Sequence, residues 1–230
     1  ENKLKKFIQF ENDFHKKNFE NSIIKNMWEL IEKFDISLKV VQDLLLGIKS
    51  DIKTEVKLDS KKDLLIYSYR VAGTVGLMMA KILKVNKKNS LKSAIDLGIA
   101  MQLTNISRDV IEDAKINRFY IDKSFEKISS TIRLAETFYE NSFYSIKDIP
   151  VGFRFSILVA RRVYRKIGYK ILNTKNLENY QNSGKIYVSI TEKILETFLS
   201  IFDLIKLSLK NEKYDLINHN HDYINEEINL

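Results

Sequence analysis

Apolar residues recur along this chain at steps of three and four, the period of helices that bury one face. The clearest run lies between Ser90 and Ile121. There Ile95, Ile99, Leu103, Ile106 and Val110 follow one another at four, four, three and four residues. The spacing predicts a long central helix that opens on an N-cap serine, Ser90, and turns this face into a core. A second row runs beside it: Gln102, Asn105, Asp109 and Asp113. Steps of three or four residues stack these side chains along one helix edge.

The same periodicity predicts a helix within residues 1–17 and another from about Asn18 to Phe34, with Trp28 in its core face. A third covers Ser37 to Ile48, burying Leu38, Val41, Leu45 and Ile48. Ser50 to Leu58 is polar and reads as a connection. Asp59 or Ser60 caps the next helix, which runs to about Leu83 and holds Gly73 and Gly76 on one side. Those glycines fit either close helix packing or a long apolar ligand on that face. Further helices are expected over Ser129–Tyr144, Phe153–Leu172 and Ile186–Leu209, with a turn at Pro150. Arg161-Arg162 and Arg165-Lys166 read as a solvated face. Residues 1–209 therefore form one helical domain, and 210–230 a polar tail. His219 and His221 are assigned to that loose tail rather than to a metal site.

Composition supports this picture. One Pro and seven Gly in 230 residues leave little turn chemistry for a many-stranded fold, which favours an all-α chain. No uncharged apolar run is long enough for a membrane-spanning helix. The absence of Cys excludes disulfides and Cys-ligated zinc or iron–sulfur sites. The net charge of +8 is spread thinly. Residue bias accounts for it first, attraction to anionic substrates or an anionic membrane surface second. No nucleic-acid partner is expected, because there is no helix-turn-helix, zinc-finger signature or dense basic block.

An acidic row on a helix is usually a solvated face. Here the two acids follow Gln and Asn, where a plain surface helix more often carries Lys or Glu. Gly98 costs roughly 1 kcal/mol against Ala in a helix, which predicts a close approach at that point. Oxygen-bearing side chains in line suit a hard divalent cation such as Mg2+.

Two stretches carry a resemblance. AMQLTNISRDVIEDAKINRFYI is similar to the second aspartate-rich motif of the squalene and phytoene synthase family, and YSYRVAGTVGLMMAKIL, from Tyr67 to Leu83, to its other signature. The wording is nearer to phytoene synthases than to the squalene branch. The resemblance implies an isoprenoid synthase bundle around a central apolar cavity. It implies head-to-head condensation of two geranylgeranyl diphosphates to phytoene through prephytoene diphosphate. Squalene, dehydrosqualene or presqualene diphosphate formation from farnesyl diphosphate, or a non-catalytic assembly role, are the alternatives. In this frame Asn105, Asp109 and Asp113 are Mg2+ ligands. Tyr67 lies near the diphosphate, and Val71 and Val75 lie along the prenyl chain. Gln102 and Arg108 orient substrate or ligands, and Arg118 can reach phosphate. A weaker third block contains Lys185, where the family carries Arg, and Lys193; Lys keeps the charge without the bidentate fork. Asn117 replaces the family's Gly. The family's first acidic motif has no counterpart upstream of Tyr67, so the chain is expected to lack the N-terminal part of the fold and, alone, to have little activity. A cytoplasmic protein touching the membrane surface is expected, because phytoene is insoluble in water.

Overall fold

The computed structural model describes residues 2–209 and 219–228. Helices α1 (Asn2–His15), α2 (Ser22–Phe34) and α3 (Leu38–Ser50) come first. Then α4 (Lys61–Ser68) passes through a π turn, Tyr69–Gly73, into α5 (Thr74–Ile82). The long α6 (Lys88–Ala114) is followed by α7 (Phe125–Phe143) and a 3-10 turn, Tyr144–Asp148. Last come α8 (Val151–Leu172), the short α9 (Leu177–Asn182) and α10 (Ile190–Leu209). Two two-residue strands, β1 (Val56–Lys57) and β2 (Arg118–Phe119), pair in parallel. The expected polar connection therefore contains a strand. A pair this short carries no periodic signal and depends on a partner far along the chain.

Helix α6 is the centre of the fold and packs between α7 and α5. Its predicted face is buried throughout: Ile95, Ile99, Leu103, Ile106 and Val110 all belong to the main core. The helix opens at Lys88, with Lys87 in the cap position, rather than at Ser90. Ser90 lies buried in the first turn, where its Oγ donates to Asp148 Oδ2 at 2.5 Å. Ser60 does cap α4, accepting from the Asp63 N–H at 3.1 Å.

The crossing of α5 and α6 depends on glycine. A Cβ on Gly76 would lie 2.2 Å from the Ala94 carbonyl oxygen, and one on Gly98 2.3 Å from that of Ala72. Backbone meets backbone there, so the close approach expected at Gly98 is a helix contact. The predicted single helix to Leu83 is interrupted by the π turn, in which the Thr74 N–H reaches back five residues to the Tyr69 carbonyl. Such a turn holds one residue more than an α turn. It rotates Tyr67 away from the face that carries Val71 and Val75.

In α3 the buried positions are Val40, Val41, Asp43, Leu45 and Gly47, while Leu38 and Ile48 are exposed. Gly47, in the last turn of α3, sits against Val71 and Arg70. Trp28 is core as expected, stacked on Phe14 and donating to its carbonyl at 3.0 Å.

The arginines of α8 do not form a solvated face. Arg161 is 3% exposed, donates twice to the Tyr139 carbonyl and lies over the Phe143 ring. Arg162 bridges Glu196 and Asp203 of α10, each at 2.9 Å, and Arg165 pairs with Glu136 of α7. α8 is flanked by α7 and α10, and cations facing neighbouring helices need partners there. The outer side of α10 is apolar, with Ile190, Ile194, Phe198, Phe202 and Leu209 exposed.

Residues 219–228 pack on the main core instead of trailing away. Ile224 is fully buried, Arg70 Nη2 meets Glu227 Oε2 at 3.0 Å, and His221 Nε2 pairs with Asp96 Oδ1 in the middle of α6. Residues 210–218 of the expected tail lie outside the described residues. Taking a partner from the buried Asp96 costs about 1–3 kcal/mol. His221→Ala should therefore lower the melting temperature clearly, and His15→Ala on the exposed end of α1 much less. Equal effects in thermal unfolding followed by circular dichroism would count against a docked segment.

Candidate functional site

The C-terminal half of α6 positions the row. With Leu103, Ile106 and Val110 fixed in the core, Gln102, Asn105, Asp109 and Asp113 must follow the adjacent edge. Gln102 and Asn105 line a cavity of about 390 Å3, within the range of small-molecule pockets. Its walls are almost wholly apolar: Val71 of the π turn, Val75 of α5, Leu97 and Met101 of α6, and Ile157 of α8 among them. Leu103 belongs to the main core instead and is fully buried. α6 has two apolar faces, and the second one, carrying Leu97 and Met101, meets the cavity.

Asp109 and Asp113 stand one and two turns beyond Asn105, outside the cavity lining. Their electrostatics differ. Arg108 forks Asp109, with Nε to Oδ1 at 2.8 Å and Nη2 to Oδ2, and Lys185 Nζ approaches Oδ1 at 3.1 Å. Burial by itself would raise the Asp109 pKa, but the bonds from Arg108 and Lys185 outweigh it and hold the carboxyl below its ordinary range. Asp113 is pushed up to about 6, first by burial and then by the charge on Asp109, with Lys185 opposing. Lys185 reaches the row because α9 is pinned to α6. The Tyr180 hydroxyl sits 2.9 and 2.7 Å from the carbonyls of Ser107 and Arg108.

Tyr67 is buried and does not line the cavity. Its hydroxyl lies 3.1 and 2.9 Å from the two Asp51 carboxylate oxygens, and Tyr120 donates to the same carboxylate at 2.9 Å. Burial, then Tyr120 and Asp51, push the Tyr67 phenol upward; burial also leads the upward shift of Tyr120. Arg118 is occupied by backbone carbonyls, the nearest being Asp51 O at 2.6 Å. Lys193 is exposed in the first turn of α10. Asn117, after α6, adopts the left-handed conformation expected of a Gly replacement, with φ 57°.

Sequence periodicity missed Asp51. It stands just past α3 and meets its partners only because β1–β2 pairing brings 51–57 beside 117–120. No local spacing announces such a contact.

The row fits a hard cation as one wall of a site. Among the described residues no hydrogen-bond partner meets the buried Asn105 Oδ1. Asp113 has no ion pair among the described residues, and its raised pKa marks a charge in want of a counter-ion. Against this, Asp109 is already neutralised, and among the described residues no three His, Cys, Asp or Glu side chains are grouped to hold a metal. An amide and two acids are the available donors.

A helical bundle enclosing an apolar cavity, with an oxygen-rich row at one end, has a close structural counterpart. A crystal structure of a dehydrosqualene synthase in complex with ligand superposes with a TM-score of 0.70 at 24% sequence identity, over 87% of this chain and 78% of that one. The fold is thus that of an all-α isoprenoid synthase. A family model described as squalene/phytoene synthase matches residues 4–125, just over half of the chain, and the chain belongs to that family. It is 33% identical to a 15-cis-phytoene synthase from Enterobacter agglomerans, over 63% of this chain and 56% of the relative. To one from Paracoccus sp. it is 37% identical, over 56% of this chain and 48% of the relative. The chain spans about half the length of the curated relatives it matches.

Proposed function

We propose that this protein is a divalent-metal-dependent prenyltransferase that condenses two geranylgeranyl diphosphates head to head into phytoene. One observation carries the proposal: a mostly apolar cavity whose α6 wall continues through Gln102 and Asn105 into the carboxylates of Asp109 and Asp113. A prenyl diphosphate has the same two ends, a long apolar tail and a compact polyanion.

The residues divide accordingly. Val71, Val75, Leu97 and Met101 take the tail and keep water from the reacting carbons. Asn105, Asp109 and Asp113 would hold Mg2+, which when bound supplies positive charge to the departing diphosphate. Arg108 and Lys185, poised on Asp109, are the cations that can turn toward phosphate when the metal takes their place. Gln102 orients the groups at the junction of tail and diphosphate.

The relatives named phytoene synthase support the longer substrate. Net charge +8 and the apolar outer side of α10 support contact with an anionic membrane surface, taken here as the cytoplasmic one. Among the described residues no helix is long and apolar enough to cross a membrane.

The test is to supply full-length protein with Mg2+ and either geranylgeranyl or farnesyl diphosphate and to identify the hydrocarbon extracted. Phytoene, formed only with metal present, is the expected result. A hydrocarbon from farnesyl diphosphate alone would replace the substrate. No product from either would overturn the enzyme reading in favour of an assembly role.

A further inference from the structure

We propose that the cleft between α7, α8 and α10 is a second anion site, one that holds a phosphate group. It stands apart from the α6 row, as a cavity of about 350 Å3 that shares no lining residue with the apolar one. Phe143 of α7 and Tyr144 of the 3-10 turn give it an aromatic wall, Arg161 enters from α8, and Lys206 from α10.

The inference rests on how the cations are held. Of Arg161, Arg162 and Arg165 on α8, two take carboxylates: Arg162 holds Glu196 and Asp203, and Arg165 holds Glu136. Arg161 takes none. It is buried, and its Nε and Nη2 both donate to the Tyr139 carbonyl, at 3.1 and 2.9 Å. Among the described residues Nη1 has no partner, and neither Arg161 nor Lys206 makes an ion pair. Both cations lie on the ring of Phe143, 4.8 and 5.3 Å from its centroid. Burying a charge without a counter-ion is costly, and a second like charge on the same ring adds to the cost. Burial accordingly holds the Arg161 pKa below its ordinary value, with the charge of Asp203 opposing.

An anion with several oxygens fits this arrangement. A carboxylate has two oxygens and a guanidinium fork can occupy both, whereas a phosphate keeps another for an ammonium from the next helix. The opposing charge is Glu140, an exposed carboxylate on the lining. Two sources share the phosphate chemistry. One is inorganic diphosphate, the leaving group of the reaction proposed above. The other is a phospholipid headgroup, because Lys206 sits among Phe202, Ile205 and Leu209 on the apolar outer side of α10. The first source rests on that reaction, the second on the membrane contact proposed with it.

The experiment uses full-length protein in metal-free buffer, so that turnover does not enter the readout. Titration calorimetry with inorganic diphosphate reads the first source, and co-flotation with phosphatidylglycerol vesicles the second. Lys206→Ala should weaken binding about tenfold, the usual loss for one charge-assisted contact. Lys25→Ala, on an exposed position of α2, should leave both readouts unchanged. Glu140→Gln removes the opposing charge and should tighten the same binding. A response to diphosphate alone assigns the free anion, one to vesicles alone the headgroup, and one to both assigns both. The proposal is overturned if the parent binds neither, if Lys206→Ala binds as the parent does, if Lys25→Ala loses as much, or if Glu140→Gln weakens binding. Arg161→Lys keeps the charge without the fork and should also lose affinity; parental binding by the folded variant would overturn the site. Should that variant fail to fold, Lys206→Ala and Glu140→Gln decide. A parent that shows this binding pattern and yet forms no phytoene with Mg2+ keeps the site and refutes the proposed function separately.

Discussion

Full-length protein carrying Asp113→Asn should fold, melt no lower than the parent, and lose about two to three orders of magnitude in kcat, the usual cost of removing one group that stabilises developing charge. Stability and activity part company here for an electrostatic reason. Asp113 is half-buried, faces the charge of Asp109, and has its pKa pushed up to about 6. A carboxyl whose folded pKa lies above its unfolded value binds its proton more tightly in the folded state. Stability tied to it is greatest at low pH and is lost as pH rises from the ordinary carboxyl range through about 6. Asparagine carries no charge and escapes this penalty. The melting temperature of the variant relative to the parent should therefore climb as pH passes from about 4 to about 7 in metal-free buffer. Asp109→Asn should behave in the opposite way in stability. It strands Arg108 and Lys185, whose bonds hold that carboxyl low. A variant of Asp113 that melts lower than the parent at neutral pH, or that turns over at the parental rate, would remove the row from the mechanism.

Gly98→Ala is the second large effect, and its sign is opposite to the helix-propensity expectation. Propensity alone predicts a gain of about 1 kcal/mol when alanine replaces glycine inside a helix. The structure places the new methyl 2.3 Å from the Ala72 oxygen, 2.7 Å from its carbonyl carbon and 3.0 Å from Gly73 Cα. All three are backbone atoms and cannot rotate aside. The helices must separate, which costs about 1–3 kcal/mol or more from overpacking and also distorts the cavity wall. Gly152→Ala, in the first turn of α8, meets nothing within 4 Å. There the same substitution should stabilise by about 0.4–1 kcal/mol. Urea denaturation of the two variants side by side reads this directly. A Gly98→Ala midpoint at or above the parental one would mean that α5 and α6 do not cross as described.

The site was partly legible before any coordinates. The row Gln102, Asn105, Asp109, Asp113 stood out because helix geometry alone aligns such spacing, and the wording around it carried the family. Its electrical state was not legible. Nothing in SRDVIED tells that Asp109 has two ion-pair partners and Asp113 none among the described residues, since one of the two, Lys185, arrives from a loop beyond α9. Tyr67, Val71 and Val75 stand at the four-residue spacing of one α-helical stripe, and the π turn at Tyr69–Gly73 breaks that stripe. One residue of extra helix separates a cavity wall from a phenol that faces Asp51.

The amino-acid order narrowed the α4 cap to Asp59 or Ser60 and carried no sign of α9 or of the π turn. What it determined by itself is most of the long helices, the buried face of α6 and the left-handed turn at Asn117. Each follows from periods and backbone preferences that act within a few residues. What only the tertiary structure decided is which second face of α6 borders the cavity, which acid keeps an unbalanced charge, and how Asp51, Asp96 and Arg161 are satisfied. Those outcomes depend on groups such as Tyr120, His221 and Tyr139, which meet them only after the helices pack. Burial then makes each charge choose a partner by distance in space, a quantity that neighbouring residues do not encode.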